Sequence, residues 1–321
     1  MDNRELFKGT ASYYAKYRAG YPAEFFDFVA RYFSLDGKGR LLDLGCGTGQ
    51  LAIPFSKYFD EVVGLDPEQE MLDEAAKEAE KAGIKNVKWI LRKAEEIASD
   101  LGEFRLTTVG SSFHWMEQEK VLKKVYDITQ NTGGLVIVSD SCSPWNDEKC
   151  VKSEKWKEVR KQIVTKYLGE KRRAGNSFYN ESKERFEDLL KRSPFRGYEE
   201  WAHDYIMTWT LEGAINFLYS TSLASQRLFE DKLKEFEQEL KTYQFEFFSH
   251  SYHALKTELD AIISKLTHAQ KNRHTLEEKS ATLRKHAESL EADLQKGGGK
   301  FKEIQENLSK LQGQKNKLLE D

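Results

Sequence analysis

The sequence has little cysteine and no long apolar segment. Its 321 residues include three cysteines, Cys46, Cys142 and Cys150, and so small and odd a number excludes the class of secreted proteins that a disulfide framework stabilises. No run approaches the roughly 20 apolar residues of a membrane-spanning helix, and the first residues lack the apolar core of a signal peptide. We therefore expect a protein of the reducing cytoplasm with no membrane partner.

An excess of positive charge is also missing. The 50 Lys and Arg residues are outnumbered by 53 Asp and Glu, for a net charge of -3, whereas a nucleic-acid groove is normally part of a basic domain. This balance argues against a nucleic-acid partner. Hydrophobic residues make up 39% of the chain and charged residues 32%. The polar excess is concentrated near the C terminus, so we expect a folded domain followed by a polar extension.

The most informative pattern is a glycine-rich turn between two apolar runs. Residues 40–44 predict a short buried strand, and the Gly-Cys-Gly-Thr-Gly sequence of 45–49 follows where the chain must turn into a helix. Glycine permits a positive φ there and lets a ligand lie against the backbone. A second strand, 61–65, leads to Asp66. This acid follows the turn by about 20 residues, a spacing at which a carboxylate can accept both hydroxyls of a ribose.

The spacing of the glycines indicates what else is bound. A dinucleotide site has the spacing Gly-x-Gly-x-x-Gly, with a pyrophosphate at the helix N terminus. This chain has Gly-x-Gly-x-Gly, with Asp43 just ahead of the first glycine. A carboxylate would repel a pyrophosphate but would stabilise a positive charge. The pattern therefore favours a cationic sulfonium ligand with Asp43 near it.

With three further segments, these motifs resemble the class I S-adenosylmethionine-dependent methyltransferases. The segments are Lys93-Ala-Glu-Glu-Ile97 after a strand at 87–91, Gly110-Ser-Ser-Phe-His-Trp-Met116 after a strand at 105–109, and Thr132-Gly-Gly-Leu-Val-Ile-Val-Ser139. The resemblance implies S-adenosylmethionine as cofactor and a doubly wound, Rossmann-like α/β sheet with helices on both faces. The cofactor contacts expected from these motifs are Asp43, Gly45, Cys46, Gly47, Gly49, Asp66, Pro67, Ala94, Glu95 and Ser111. Of these, Cys46 is expected to be a small buried side chain and not a nucleophile.

Within that class, the sequence is similar to small-molecule enzymes such as the trans-aconitate and juvenile-hormone-acid methyltransferases. The similarity rests on Tyr13-Tyr-Ala-Lys-Tyr-Arg-Ala-Gly-Tyr-Pro22, Phe113-His-Trp115, Gly169-Glu-Lys-Arg-Arg-Ala-Gly175 and Tyr219-Ser-Thr-Ser222. It implies that the tyrosine-rich segment is a lid, in which Tyr14 and Arg18 would hold the carboxylate of the methyl donor. An amphipathic surface helix is the alternative for this segment.

The same resemblance suggests residues for the acceptor side. His114 follows the fourth strand, at the edge where α/β sheets bind ligands. It would act as a base on a hydroxyl or amine acceptor or would orient a carboxylate acceptor; a histidine packed beside the core is the alternative. Trp115 would shape the pocket wall and contact the sulfonium. Arg172 and Arg173 are further candidates, because they suit a substrate carboxylate; a solvated charge run is the alternative. The remaining candidates for the pocket are Tyr179, Tyr219 and Ser222, for which helix packing is the alternative.

The domain is expected to occupy residues 1–250. Periodicity predicts helices at 152–166, 181–191 and 211–219 and a strand at 198–209. The segment Gln244-Phe-Glu-Phe-Phe248 could supply a last strand, but it is short and runs into a helix.

Residues 251–321 are expected to form a coiled-coil extension. Mostly apolar positions, with Arg273, Ser280 and Lys315 among them, alternate spacings of four and three from Leu255 to Leu294 and again from Phe301 to Leu318, which is the heptad pattern. The interruption at Gly297-Gly-Gly299 predicts a turn or hinge. The second helix would fold back as an antiparallel hairpin, or the stalk would pair with another chain; a solvated helix packed on its own domain is a third alternative. The histidines here, His253, His268, His274 and His286, lack metal-ligand spacing, and we assign no metal.

The sequence thus predicts methyl transfer from S-adenosylmethionine to a small-molecule acceptor, through an oxygen of a carboxylate or hydroxyl. The alternative is a cofactor-binding scaffold with weak or lost catalysis, whose coiled coil mediates homo-oligomer assembly or recruits a protein partner. The altered last strand favours the scaffold. The intact glycine turn, Asp66 and Phe113-His-Trp115 favour the enzyme. A nucleic-acid or protein acceptor lacks support, because no Asn/Asp-Pro-Pro-Tyr run follows the fourth strand.

Overall fold

The structure is a computed structural model that describes residues 5–139, 154–171, 173–174, 177–178, 184–195, 197–205, 210–296 and 301–320. The chain divides into two compact units, residues 1–245 and residues 246–321. Across the described ranges, no helix combines the length and the apolar character needed to cross a membrane.

The first unit is built on a five-stranded parallel sheet. The strands are β1 (Arg40–Leu44), β2 (Glu61–Asp66), β3 (Val87–Leu91), β4 (Phe104–Gly110) and β5 (Thr129–Val138). Their order is β3-β2-β1-β4-β5, so the chain leaves β1 toward one side of the sheet and returns on the other side at β4. A crevice forms at the carboxyl ends of strands where the order reverses in this way. The predicted Rossmann-like α/β architecture is confirmed.

Helices cover both faces of this sheet. Those of the first unit are α1 (Ala11–Tyr17), α2 (Ala23–Tyr32), α3 (Ala52–Phe55), α4 (Gln69–Lys81), α5 (Gln118–Asp127), α6 (Glu154–Leu168), α7 (Phe186–Arg192) and α8 (Leu211–Tyr219). Successive strand residues point to opposite faces. Leu41 therefore joins a core with Phe25 of α2 and Phe55 of α3, whereas Leu42 joins a core with Val121 of α5.

Beyond β5 the chain forms a third core and a small hairpin. The core brings together Ile163 of α6, Leu218 of α8, and Phe236 and Leu240 of helix α9 (Leu233–Lys296). The hairpin pairs β6 (Arg173–Ala174) with β7 (Ser177–Phe178) in antiparallel fashion. The helices predicted at 152–166 and 211–219 are present, and the one predicted at 181–191 is the shorter α7.

Among the described residues, two predicted strands are absent. In the segment predicted as a strand at 198–209, residues 198–205 have neither strand nor helix, and 206–209 lie outside the described residues. The run Gln244–Phe248 is helical, because it lies within α9. The physical reason is continuity: α9 is anchored in the core by Phe236 and Leu240, and no glycine or proline follows before Lys296 to end it. The prediction of a last strand there was wrong.

The second unit is helical. It contains the remainder of α9 and helix α10 (Phe301–Glu320). Half-buried positions recur at spacings of four and three in the described part of α9, at Leu276, Ser280, Leu283, Ala287 and Leu290, and α10 continues the pattern with Ile304, Leu308, Leu311 and Leu318. The neighbouring Leu319 is 72% exposed. The coiled coil stays a prediction, and the glycines of the predicted turn, 297–299, lie outside the described residues.

Candidate functional site

A cleft lies at the carboxyl edge of the sheet. Four stretches of the sheet's carboxyl edge form its walls. They are the glycine turn (Gly45, Gly47), the end of β2 and start of α4 (Asp66, Pro67, Glu68, Met71), the turn after β3 (Lys93, Ala94, Glu95), and the segment after β4 (Gly110, Ser111, Ser112, Trp115, Met116). Leu6, Phe7 and Tyr14 from the N-terminal segment complete the enclosure.

The glycine turn after β1 has the backbone that its sequence predicts. Gly45, Gly47 and Gly49 all have positive φ, at 61°, 52° and 85°, a region that side chains with a Cβ disfavour. A Cβ on Gly45 would lie 2.7 Å from the side chain of Ser112, whereas a Cβ on Gly47 would meet nothing closer than Tyr14, at 3.8 Å. Gly47 therefore turns its bare face toward the cleft, where a ligand can lie against the backbone.

Asp66 ends β2 beside that turn. It is 7% exposed, and its two carboxylate oxygens accept the backbone N–H groups of Gly47 and Glu68, each at 2.9 Å. An ionised carboxylate has about four acceptor positions, so each oxygen keeps capacity for a ribose hydroxyl. Burial raises the pKa of Asp66 to about 6, against the opposing effect of the two backbone hydrogen bonds. The group is thus mostly ionised at pH 7.

Asp43 does not reach the cleft wall. Its carboxylate is buried beneath the glycine turn, where it accepts the hydroxyl of Thr108 at 2.8 Å and the backbone N–H of Ala52 at 3.2 Å. Burial raises its pKa to about 7. The side chain ties β1 to β4 and to the start of α3, and its predicted contact with a cationic ligand stays a prediction.

Cys46 and Gly49 of the glycine turn face the protein interior. Cys46 is buried, and burial raises the pKa of its thiol well above the ordinary value, so it remains a neutral packed side chain at neutral pH. A Cβ on Gly49 would lie 2.9 Å from Ile53 and 3.0 Å from Trp89. Neither Cys46 nor Gly49 is part of the cleft wall as described.

The turn after β3 supplies the opposite wall. Ala94 is buried and Glu95 accepts the backbone N–H of Glu117 at 2.8 Å. Ala94 and Met71 of α4 contribute apolar surface to the cleft that Asp66 also lines. Such a surface suits the flat face of an adenine whose ribose is held by the carboxylate.

The N-terminal segment covers the cleft with aromatic rings. The ring of Phe7 lies 6.1 Å from that of Tyr14 and 6.2 Å from that of Trp115, edge to face in both cases. Arg18 points elsewhere: its Nε donates to the hydroxyl of Ser220 at 2.9 Å, and its guanidinium lies over the rings of Tyr14 and Phe217. The predicted contact of Arg18 with a donor carboxylate stays a prediction.

The segment after β4 divides its residues between the cleft and its surroundings. Ser111 has a positive φ of 50° and lines the cleft together with Trp115. His114 packs against Trp115, with ring centroids 4.6 Å apart, and is not among the described residues that line the cleft. The catalytic role of His114 stays a prediction.

Of the candidate acceptor residues that the structure describes, Trp115 lines this cleft, whereas Arg173, Tyr219 and Ser222 are not among its lining residues. Tyr219 is buried, and its hydroxyl donates to Glu237 at 3.0 Å. It lines a separate groove with Tyr13, on the α8 side of α1. Ser222 is buried nearby in sequence, and Arg173 lies in the β6–β7 hairpin with its guanidinium 5.8 Å from the ring of Phe178. Arg172 and Tyr179 lie outside the described residues.

Several cleft residues were missed by the sequence patterns. Leu6 and Phe7 precede the tyrosine-rich segment, and no periodic signal marks them. Glu68 could have been suspected, because it follows Asp66 by two residues in the same loop. Ser112 becomes visible only when its side chain is seen packed against the bare face of Gly45.

With this geometry in hand, comparison with known proteins is informative. A family model described as a methyltransferase domain matches residues 41–133, the segment from β1 into β5. A probable S-adenosylmethionine-dependent methyltransferase of Saccharomyces cerevisiae is 28% identical over 125 residues, 38% of this chain and 43% of the yeast protein. An uncharacterized methyltransferase of Bacillus subtilis is 25% identical over 139 residues, 43% of this chain and 55% of that protein.

The chain thus spans about half the length of these two relatives. Among solved structures, the YcgJ protein of Bacillus subtilis aligns with a TM-score of 0.35 and 22% identity, over 45% of this chain and 58% of that chain.

Proposed function

We propose that this chain, whose residues 41–133 match the model of a methyltransferase domain, transfers a methyl group from S-adenosylmethionine to an oxygen of a small acceptor, a carboxylate or a hydroxyl. One observation carries the proposal. The bare backbone of Gly47, the carboxylate of Asp66 and the aromatic cover from Phe7 and Tyr14 enclose one cleft at the carboxyl edge of the sheet.

The residues present fit this cofactor. Asp66 would accept the ribose hydroxyls, and Ala94 with Met71 would flank the adenine. Gly47 leaves room for the donor against the backbone, because a Cβ there would be in the cleft. The aromatic faces of Tyr14 and Trp115 suit the positive sulfonium.

When bound, S-adenosylmethionine supplies a methyl group that is already activated for in-line displacement. The chain then needs to hold the acceptor oxygen at about 3 to 3.5 Å from that methyl and to exclude water. Leu6, Phe7 and Trp115 would exclude water from the cleft. For a carboxylate acceptor no base is required. For a hydroxyl acceptor a base such as His114 would have to take the proton.

Calorimetric titration with S-adenosylmethionine and S-adenosylhomocysteine tests the proposal. We expect micromolar binding of both, weakened at least about tenfold in Asp66→Ala, because the ribose hydroxyls lose a charged acceptor. Asp73→Ala, which removes an exposed carboxylate of α4, is the matched control and should bind as the wild type does. A folded wild-type protein that binds neither ligand would refute the proposal.

A second function is favoured by one observation, the helix that occupies Gln244–Phe248 in place of the predicted last strand. A cofactor-binding scaffold, with weak or lost catalysis and a helical extension that assembles copies or recruits a protein, would not need a complete acceptor pocket. The same titration followed by a screen of small carboxylic acids separates the two. Donor binding with turnover of an acid supports the enzyme, and donor binding without turnover of any acid or alcohol supports the scaffold.

A further inference from the structure

Residues 5–10 form a strap across the cleft. Leu6 and Phe7 line the cleft, and the strap closes on itself through Thr10, whose backbone N–H and hydroxyl both donate to the carbonyl of Phe7. Tyr14 of α1 follows, with its N–H donating to the carbonyl of Thr10 at 2.8 Å. The position of the strap therefore sets the position of two aromatic rings that cover the cleft.

Three side chains from elsewhere in the fold hold the strap backbone. Glu68 accepts the N–H of Phe7 at 3.1 Å, and Glu70 accepts the N–H of Gly9 at 2.5 Å. Arg227 donates to the carbonyls of Lys8 and Glu5, at 3.1 and 2.6 Å. The strap is thus fixed by hydrogen bonds at four backbone positions, and its rings only add edge-to-face contacts.

Of these three side chains, Glu68 is the best placed to control the cleft. It is 8% exposed, whereas Glu70 is exposed and Arg227 half-buried. A hydrogen bond to a buried charged group is stronger than one in water, where solvent competes. Glu68 also lines the cleft itself, and its own N–H donates to the carboxylate of Asp66 at 2.9 Å. The anchor of the strap and the proposed ribose acceptor are therefore adjacent parts of one loop.

From this geometry we infer that Glu68 is a positioning residue for donor binding: its carboxylate latches the strap over the cleft, and the donor enters and leaves when that bond opens. The inference rests on the proposed function, since it concerns the same cleft. Glu68 takes no part in the methyl transfer itself. Its effect is to slow exchange of the donor and to keep Phe7 and Tyr14 over the cleft during transfer.

Stopped-flow measurement of S-adenosylhomocysteine binding to the full chain tests the latch. In Glu68→Ala we expect both the association and the dissociation rate constants to rise, the latter about tenfold, the factor expected for loss of one hydrogen bond to a charged acceptor. Glu68→Gln keeps an acceptor oxygen but not the charge, so its rates should lie between those of the wild type and of Glu68→Ala. Glu70→Ala removes an exposed partner of the same strap and should change either rate by less than about twofold.

The outcomes separate this inference from its premise. If the wild type binds no S-adenosylhomocysteine, the proposed function fails. If the wild type binds and folded Glu68→Ala exchanges ligand at wild-type rates, the latch fails and the proposed function stands. A residue that only stabilises the fold would lower the melting temperature without accelerating association.

If Glu68→Ala does not fold, the hydrogen-exchange rate of the Phe7 amide in the wild-type protein tests the latch instead. A latched strap protects this amide, and saturating S-adenosylhomocysteine raises the protection. Exchange at the rate of an unprotected amide in both states would overturn the inference.

Discussion

Replacing Asp43 with Asn should change how the stability of the protein depends on pH. The Asp43 side chain is 1% exposed and lies between Thr108 and Ala52. An asparagine can keep both contacts, with its carbonyl oxygen accepting from Ala52 and its amide donating to the Thr108 hydroxyl. The substitution therefore removes the titration while leaving the shape and the hydrogen bonds close to those of the wild type.

The magnitude follows from the pKa. Burial raises the pKa of Asp43 from its ordinary value of 3.8 to about 7, so between these values the folded protein binds a proton that the unfolded chain lacks. Stability from this group therefore rises as the pH falls from 7 toward 4, and is lowest above pH 7. Because one pKa unit corresponds to about 1.4 kcal/mol, the wild type should gain about 3 kcal/mol from this group between pH 8 and pH 5.

Urea unfolding followed by tryptophan fluorescence at pH 5, 6, 7 and 8 measures the effect. We expect Asp43→Asn to be more stable than the wild type at pH 8 and to lose that advantage by pH 5, a change of about 3 kcal/mol in the difference between the two proteins. Asp73→Asn, an exposed carboxylate, is the control and should follow the wild-type curve. If the difference between Asp43→Asn and the wild type is the same at all four pH values, Asp43 does not titrate in this range and the burial argument is wrong.

Three other predictions concern the cleft, the extension and the acceptor. Gly47→Ala and Gly83→Ala both place a side chain at positive φ, and each should cost about 1 kcal/mol of stability. In calorimetry, only Gly47→Ala should weaken S-adenosylhomocysteine binding, by about tenfold or more. If the two variants bind it equally well, Gly47 does not face the ligand. Leu318→Asp should lower the thermal midpoint of helix loss in circular dichroism, because Leu318 is half-buried. Leu319→Asp should leave this midpoint unchanged, because Leu319 is 72% exposed. Equal midpoints for the two variants would mean that the heptad seam is not packed. In steady-state assays, His114→Asn should reduce turnover about 100-fold or more for a hydroxyl acceptor and little for a carboxylate, and equal turnover for a hydroxyl would remove His114 from the chemistry.

The sequence determined the sheet and the glycine turn because both are local patterns. An apolar run of five residues followed by closely spaced glycines has few other conformations, and β1, β2, β3 and β4 lie within a residue of where their patterns predict them. Asp66 could be placed for the same reason, since a residue that ends a parallel strand must lie at the carboxyl edge. The sequence also marked α6 and α8 by their helical patterns.

The tertiary structure decided where single side chains point. Asp43 lies one residue before the end of β1 and Asp66 ends β2, both near the glycines, but only Asp66 lines the cleft. The partner that draws Asp43 inward, Thr108, is 65 residues away in the chain, and no local pattern encodes such a pairing.

The same holds for the strap, for α1 and for α9. Phe7 covers the cleft because Glu68, 61 residues further on, holds its backbone. Tyr14 lines the cleft while its neighbour Tyr13 lines a groove beside α8, because adjacent residues of a helix point about 100° apart. Residues 244–248 continue α9 although their aromatic content is typical of a strand. A strand there would need an edge to pair with, whereas the helix already anchored by Phe236 and Leu240 needs only the next residue.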